Sequence, residues 1–330
     1  MNALLETVIE GGVLSRDQAY QAMHVLLAPD TKAEQIGAFL ATLRLRGETV
    51  DEVVGFVSAL QEQVVRTRAR PDAIDVCGTG GDGLGTFNVS TTVAFVVAAA
   101  GQPLAKHGNR SVSSKCGSFD VLDALGVKFA TQADDVDAQL DAFGLGFYFA
   151  PAFHPALMTL RDVRRNLGVY TVFNLLGPLL NPAQAKKQLI GVYRSSAVPL
   201  VAEVLLALGV ESAWVVRGDD GLDEISVGGP TSIARVSVRG IERATVTPEA
   251  VGIPRAHLDE LAGGDTNANA RILVGILDGE TGARRDVVTL NAGAALTIAG
   301  KATSLQEGMN IAREAIDSGR ARDLLKRMQA

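Results

Sequence analysis

The chain has 330 residues, 47% of them hydrophobic and 21% charged, which excludes global disorder and suggests about two domains. Its 37 acidic and 31 basic side chains leave a formal charge of -6, and aromatics are only 5%, which argues against a basic nucleic-acid surface or a base-stacking platform. Two cysteines, Cys77 and Cys116, are too few for a disulfide framework and lack metal-ligand spacing, so a reducing, cytoplasmic setting is expected.

The first seventy or so residues carry only helical signals. Ser15 with Gln18, Thr31 with Glu34, and Thr49 with Glu52 each have the spacing of a capping box at a helix start. Ile36, Phe39, Leu40 and Leu43 recur at helical spacing, and Gly11, Gly12 and Gly47 are suitable stops. From Ala73 the texture changes to short apolar runs alternating with longer helical stretches. Strands are expected at 73–77, 103–106, 147–149, 189–193 and 213–217. Helical stretches are expected at 90–100, 121–125, 154–167 and 199–208. The longest apolar run, 93–100, is far too short to span a bilayer, and the acidic N-terminus does not read as a secretory signal. The last third is punctuated by glycine and ends on a helix opened by Ser304 with Glu307. This alternation predicts an α/β body with a mainly parallel sheet, whose ligands sit beyond the carboxyl ends of the strands.

Three segments fall at such ends. Cys77-Gly-Thr-Gly-Gly-Asp-Gly-Leu-Gly-Thr-Phe-Asn-Val-Ser-Thr91 follows a strand and leads into an apolar helix. Its glycines let backbone N–H groups approach an anion, and the helix N-terminus adds its dipole. Taken alone, the run is equally a tight strand–helix connection. It is neither a P-loop nor a Gly-x-Gly-x-x-Gly fingerprint. The second segment, Lys106-His-Gly-Asn-Arg-Ser-Val-Ser-Ser-Lys-Cys-Gly-Ser118, reverses the sign of charge locally with Lys106, Arg110 and Lys115. It suits a phosphate, or is a solvated basic loop. The third, Gly218-Asp-Asp-Gly-Leu-Asp-Glu224, offers paired carboxylates of the kind Mg²⁺ takes beside substrate phosphates, or is a surface turn.

In this order and spacing the segments resemble anthranilate phosphoribosyltransferase of tryptophan biosynthesis. The resemblance runs on through Phe149-Ala-Pro-Ala-Phe-His-Pro155, Val163-Arg-Arg-Asn-Leu-Gly168, Thr171-Val-Phe-Asn-Leu-Leu-Gly-Pro-Leu-Leu-Asn-Pro182 and Gly263-Gly-Asp265 to the C-terminal helix. It implies a nucleoside phosphorylase/phosphoribosyltransferase-like fold. A small N-terminal α-helical domain, 1–70, would be joined in space by part of about 166–185, and 71–330 would form the larger α/β domain. It also implies a homodimer acting on 5-phosphoribosyl 1-pyrophosphate (PRPP) and anthranilate, with two Mg²⁺ ions per subunit. Carried over position by position, the PRPP contacts would be Gly78, Gly81, Asp82, Thr86, Asn88, Val89, Ser90 and Thr91 in the first turn. Lys106, His107, Gly108, Asn109, Arg110, Ser111, Val112, Ser113, Ser114 and Ser118 would supply the rest. Gly78, Asn109 and Arg164 would hold anthranilate, and Ser90, Asp223 and Glu224 would hold metal.

Arg164 also suits a benzoate-type carboxylate on chemical grounds, the alternative being an ion pair with Asp162 or Glu203. No general acid or base is assigned. An aromatic amine is already neutral at pH 7, so His107 reads as a pocket wall and His154 as structural. The hard step is C1–O cleavage, served by electrostatic stabilisation of pyrophosphate and by positioning. Tyr170, Met158 and Phe119 stand where the family more often has Arg, Lys and a small residue. These differences bear on the entry path of the aromatic substrate and on packing beside Ser118. A pyrimidine-nucleoside phosphorylase would share the fold but need neither the acidic pair nor the full first turn. A nucleic-acid-binding relative would need a basic groove.

Overall fold

The computed structural model describes residues 1–111 and 116–330; Val112, Ser113, Ser114 and Lys115 lie outside the described residues. Four helices come first: α1 (Asn2–Ile9), α2 (Arg16–Leu27), α3 (Ala33–Arg46) and α4 (Val50–Gln61). Two of the expected capping boxes form. Ser15 and Gln18 exchange backbone and side-chain bonds, and so do Thr49 and Glu52. Glu52 is fully buried, where it also accepts from the Leu14 N–H and pairs with Arg46, so the cap ties α4 to the α1–α2 connection and to α3. The third box does not form. The Thr31 hydroxyl donates to the Val25 carbonyl instead and closes the turn after α2, leaving α3 to start after Lys32 without a side-chain cap.

The body then runs β1 (Ile74–Gly78), α5 (Val89–Ala99), β2 (Leu104–Gly108), α6 (Ser118–Ala124), α7 (Ala133–Phe143), β3 (Leu145–Phe149), α8 (Ala150–Phe153), α9 (Arg161–Leu167), α10 (Val172–Leu176), β4 (Lys187–Gly191), α11 (Ala197–Ala207) and β5 (Ser212–Gly218). A hairpin follows, β6 (Thr231–Ser237) and β7 (Gly240–Val246), and then α12 (Thr266–Leu277), α13 (Ala283–Ile298), α14 (Leu305–Asp317) and α15 (Arg320–Gln329). The helical stretch expected at 154–167 opens as a 3-10 turn and becomes α-helical only from Arg161. Pro155 pushes His154 out of the helical region, to φ -124 and ψ 61, and a 3-10 turn, Pro155–Leu160, separates α8 from α9.

The seven strands form one sheet in the order β3-β2-β1-β4-β5-β6-β7. β1 to β5 are parallel, and β6 and β7 add an antiparallel edge. One face packs on α5, α6 and α12–α15 around Phe95, Phe119, Phe147 and Leu290. The opposite face carries α11, and its core runs without a break into the α1–α4 bundle through Val172, Phe173, Leu175 and Leu176 of α10. α9 packs on α3, and α10 on both α3 and α4. The strand order reverses between β1 and β4, which opens a crevice at their carboxyl ends.

Candidate active site

The turn after β1 lies in that crevice. Gly80, Gly81, Gly83 and Gly85 all have φ between 65° and 86°, the left-handed region that a side chain resists. The turn is held from outside. Thr79 donates its N–H to the Gly191 carbonyl, and its hydroxyl accepts from the Tyr193 N–H at 3.1 Å. Thr86 bridges Ala262, the Phe87 N–H bonds the Leu261 carbonyl, and the Asn269 side-chain amide donates to Asn88 Oδ1 at 3.0 Å. Thus 261–269 clamps the turn from the C-terminal third. At the start of α5, the Val89 and Thr91 side chains are buried in the core, while Ser90 is half-buried.

The acidic loop after β5 lies directly on this turn. Asp223 Oδ2 accepts from the Gly80 N–H at 2.8 Å. A Cβ on Gly78 or Gly191 would collide with Asp223, so bare backbone on two paired strands makes room for it. Glu224 is buried, and Asp82 stands close enough to repel Asp223. Burial first, and the Asp82 charge second, push the Asp223 carboxyl far above the usual carboxylate range. Burial and then the Asp223 charge do the same to Glu224, with the Lys106 ammonium opposing. Buried carboxyls destabilised in this way, with Asp82 Oδ2 lacking a hydrogen-bond partner among the described residues, suit a hard divalent cation. Among the described residues no three His, Cys, Asp or Glu side chains form a closed metal cage. Asp223 and Glu224 would therefore supply part of a Mg²⁺ shell, the rest coming from water and substrate phosphate.

β2 delivers the cation. Lys106 is buried, and its ammonium donates to the Val76 carbonyl at 2.7 Å and to Ser90 Oγ at 3.1 Å, leaving one N–H without a partner among the described residues. Asp75, fully buried on β1, accepts from the His107 N–H at 3.3 Å, and burial raises its carboxyl to about 6. The His107 ring bonds the Gly177 carbonyl through Nδ1, and the His154 ring bonds the Leu180 carbonyl through Nε2. A carbonyl only accepts, so each of these nitrogens carries hydrogen. Burial lowers His107 to about 3, with His154 adding to the effect, and burial lowers His154 to about 4, so both rings are neutral at pH 7.

In the basic loop, the Gly108 backbone lies against Ser118, whose hydroxyl donates to the Asn109 carbonyl at 3.1 Å. Arg110 is engaged by Asp120 and Asp123 and lies 5.8 Å over the Phe149 ring. Asp120 also accepts from the N–H groups of Ser111 and Gly117, and so pins both ends of the loop. Phe119 is fully buried against Phe129, Phe147 and Phe149. Arg164 pairs with neither Asp162, which holds Arg165, nor Glu203. It is half-buried 5.1 Å over the Phe173 ring, and burial lowers its pKa. A cation so placed without a carboxylate fits an incoming acid. Among the described residues, no hydrogen bond or ion pair joins it to Gly78 or Asn109.

Several supporting groups escaped the sequence reading. Asp120 had a signal, since it stands three residues after the Gly117 cap. Asp75, Asn269 and the approach of Tyr170 to Gly81 had none, because only the fold brings their partners near.

The description "Glycosyl transferase family, helical bundle domain" matches residues 2–64, and "Glycosyl transferase family, a/b domain" matches residues 70–322. An anthranilate phosphoribosyltransferase of Rhodopseudomonas palustris (strain HaA2) is 48% identical over 99% of this chain and 97% of its own length. The crystal structure of the Thermus thermophilus enzyme of that name superposes with a TM-score of 0.92 at 41% identity, covering 99% of this chain and 98% of that one. The Saccharomyces cerevisiae enzyme in complex with PRPP and Mg gives 0.90 at 27% identity, covering 99% and 96%. The same yeast enzyme in complex with 4-fluoroanthranilate gives 0.87 at 25% identity, again covering 99% and 96%.

Proposed function

The chain belongs to the anthranilate phosphoribosyltransferase family, and we infer that it transfers the phosphoribosyl group of PRPP to the amine of anthranilate. The products are N-(5-phosphoribosyl)anthranilate and pyrophosphate, the second step from chorismate to tryptophan. The observation that carries this reading is the bond from the Gly80 N–H to Asp223, which unites a glycine-rich anion turn with a buried acidic pair at the switch point of the sheet.

In the reaction the C1–O bond breaks toward pyrophosphate, and the anthranilate nitrogen lone pair forms the new C1–N bond. We assign pyrophosphate and ribose to the turn through Gly78, Gly81, Asp82, Thr86, Asn88, Val89, Ser90 and Thr91. Lys106 to Ser111 and Ser118 complete the PRPP site, together with Val112, Ser113 and Ser114. Backbone N–H groups and the Lys106 ammonium stabilise the charge that develops on the leaving group. Asp223, Glu224 and Ser90 would hold Mg²⁺, which when bound supplies positive charge against pyrophosphate. Two Mg²⁺ ions per subunit are part of this proposal. Arg164, with Gly78 and Asn109, takes the anthranilate carboxylate. The neutral rings of His107 and His154 support a binding wall and a structural strut rather than an acid–base pair.

Exposed Ile9, Val13 and Leu45 support a homodimer through the α1–α3 corner, where Arg46 bonds the Gly12 carbonyl. The arrangement of the chain supports a helical unit of about 1–70 that takes in part of about 166–185, set on the body formed by 71–330. Buried, unpaired Cys77 and Cys116 support a cytoplasmic location, and no helix among the described residues is long and apolar enough to cross a membrane. The test is loss of anthranilate fluorescence on mixing with PRPP and Mg²⁺. Loss should require all three components and fail in Asp223→Asn/Glu224→Gln; loss without PRPP, or an unaffected double variant, would refute the assignment.

A further inference from the structure

Tyr170 sits between two fixed points. Gly168, at φ 64°, ends α9, and Thr171 caps α10 by bonding with Asn174. From there its ring reaches the glycine-rich turn, where a Cβ on Gly81 would strike the Tyr170 ring and hydroxyl. Gly81 already has φ 86°, so two independent constraints meet on one residue of the turn. The Tyr170 ring also stacks on Tyr193, with centroids 5.0 Å apart and 28° between the planes.

Tyr193 is itself anchored on three sides. Its N–H donates to Thr79 Oγ1, its carbonyl accepts from Arg217 Nε, and its hydroxyl accepts from Arg44 of α3. The guanidinium groups of Arg44 and Arg194 lie 5.5 and 5.7 Å from its ring centroid. Arg194 is held in turn by buried Glu48. The two tyrosines therefore grip the turn at Thr79 and at Gly81. The Tyr170 hydroxyl makes no hydrogen bond among the described residues, so its ring does the holding.

We propose that Tyr170, stacked on Tyr193, is a positioning residue that clasps the glycine-rich turn in its anion-receiving shape and thereby sets affinity for PRPP. Four left-handed glycines make that turn costly to order, and a clasp that orders it beforehand lowers the cost of binding. The proposal deepens the functional reading above and rests on it.

The experiment is calorimetric titration of Mg²⁺–PRPP into the wild-type protein, Tyr170→Phe, Tyr170→Leu and Tyr170→Ala, with steady-state KM values for both substrates. Losing the stack should weaken PRPP binding about tenfold in the Leu and Ala variants, the scale of one aromatic pair. Tyr170→Phe should stay within about twofold of wild type, because a phenyl ring keeps the stack. The KM for anthranilate should move less than about twofold, since the acceptor does not bind the turn through Tyr170. The Leu variant keeps apolar bulk and carries the test should the Ala variant not fold.

Tight PRPP binding by Tyr170→Leu would overturn the clasp, as would Tyr170→Phe binding as weakly as Tyr170→Leu. A shift confined to the anthranilate KM would overturn it too and place Tyr170 on the acceptor side. A wild-type protein that does not bind PRPP would overturn both the clasp and the function it rests on. Equal binding by all four proteins would remove the clasp alone.

Discussion

Gly78 and Gly191 are register partners on β1 and β4, and together they form a bare floor under Asp223. A methyl group on Gly191 would meet the Asp223 carbonyl, which is backbone and cannot swing aside. Gly191→Ala should therefore cost about 1–3 kcal/mol in urea unfolding, the usual range for overpacking, and should weaken Mg²⁺-dependent PRPP binding. An unchanged urea midpoint would show that the loop yields freely. Lys106 is the other position where one side chain carries much of the site. Its ammonium lies among Ser90, Val76 and the Glu224 charge, with one N–H unpartnered among the described residues. Lys106→Met should lower kcat by about 10²–10³, the effect of removing one donor aimed at developing charge. It should also raise the Mg²⁺ concentration needed for half-maximal rate, because Glu224 loses its cationic neighbour. Steady-state kinetics across a Mg²⁺ series would measure both effects.

The histidine pair acts between segments of chain. His107 fastens β2 to the Gly177 carbonyl, His154 fastens the end of α8 to the Leu180 carbonyl, and the two rings lie 5.0 Å apart. Both pKa values are depressed, to about 3 and about 4, below the ordinary value of 6.5. The unfolded chain thus takes up protons that the folded chain refuses. Stability from this pair is complete above pH 6.5 and is lost as pH falls from there toward 3–4, at about 1.4 kcal/mol per unit of depression. Urea midpoints measured from pH 7.5 to 4.5 should fall, and less steeply in His154→Asn; parallel slopes would contradict the assignment. Pairs of this kind mark where the sequence stops being informative. All five parallel strands could be read from short apolar runs, and Ser15 and Thr49 from capping-box spacing. The β6–β7 hairpin could not, because Thr231–Ser237 buries both faces unevenly and lacks a clean alternation. Thr31 had the right spacing, but its hydroxyl found a carbonyl within the preceding turn. The anion turn was legible because its glycines lie in one run. Its contacts with Asp223, Tyr170 and Asn269 come from far along the chain, and only sheet order brings them there.

The candidate site draws on the ends of β1, β2 and β5 and on α9, all from one chain, whereas three of the exposed apolar side chains, Ile9, Val13 and Leu45, lie on the helical bundle. That separation permits a sharp statement about assembly. Leu45 is 88% exposed beside Arg46, and Arg46 bonds the carbonyl of Gly12, next to Val13, which brings exposed apolar residues of α3 and of the segment after α1 to one corner of the bundle. Contact between two such patches would cover apolar surface that water now wets, and a twofold axis makes one patch serve as both halves of the interface. The wild-type chain should therefore sediment at twice its 34.5 kDa at micromolar concentration, and Val13→Asp/Leu45→Glu should sediment as a single chain. Because no site residue lies in the patch, the separated chains should keep turnover within about twofold, as expected for substitutions that touch neither substrate nor its supports. A wild-type protein that sediments at 34.5 kDa would remove the dimer. Separated chains that fold but have lost turnover would show instead that the bundle needs its partner to hold Arg44 and Glu48 against Tyr193 and Arg194.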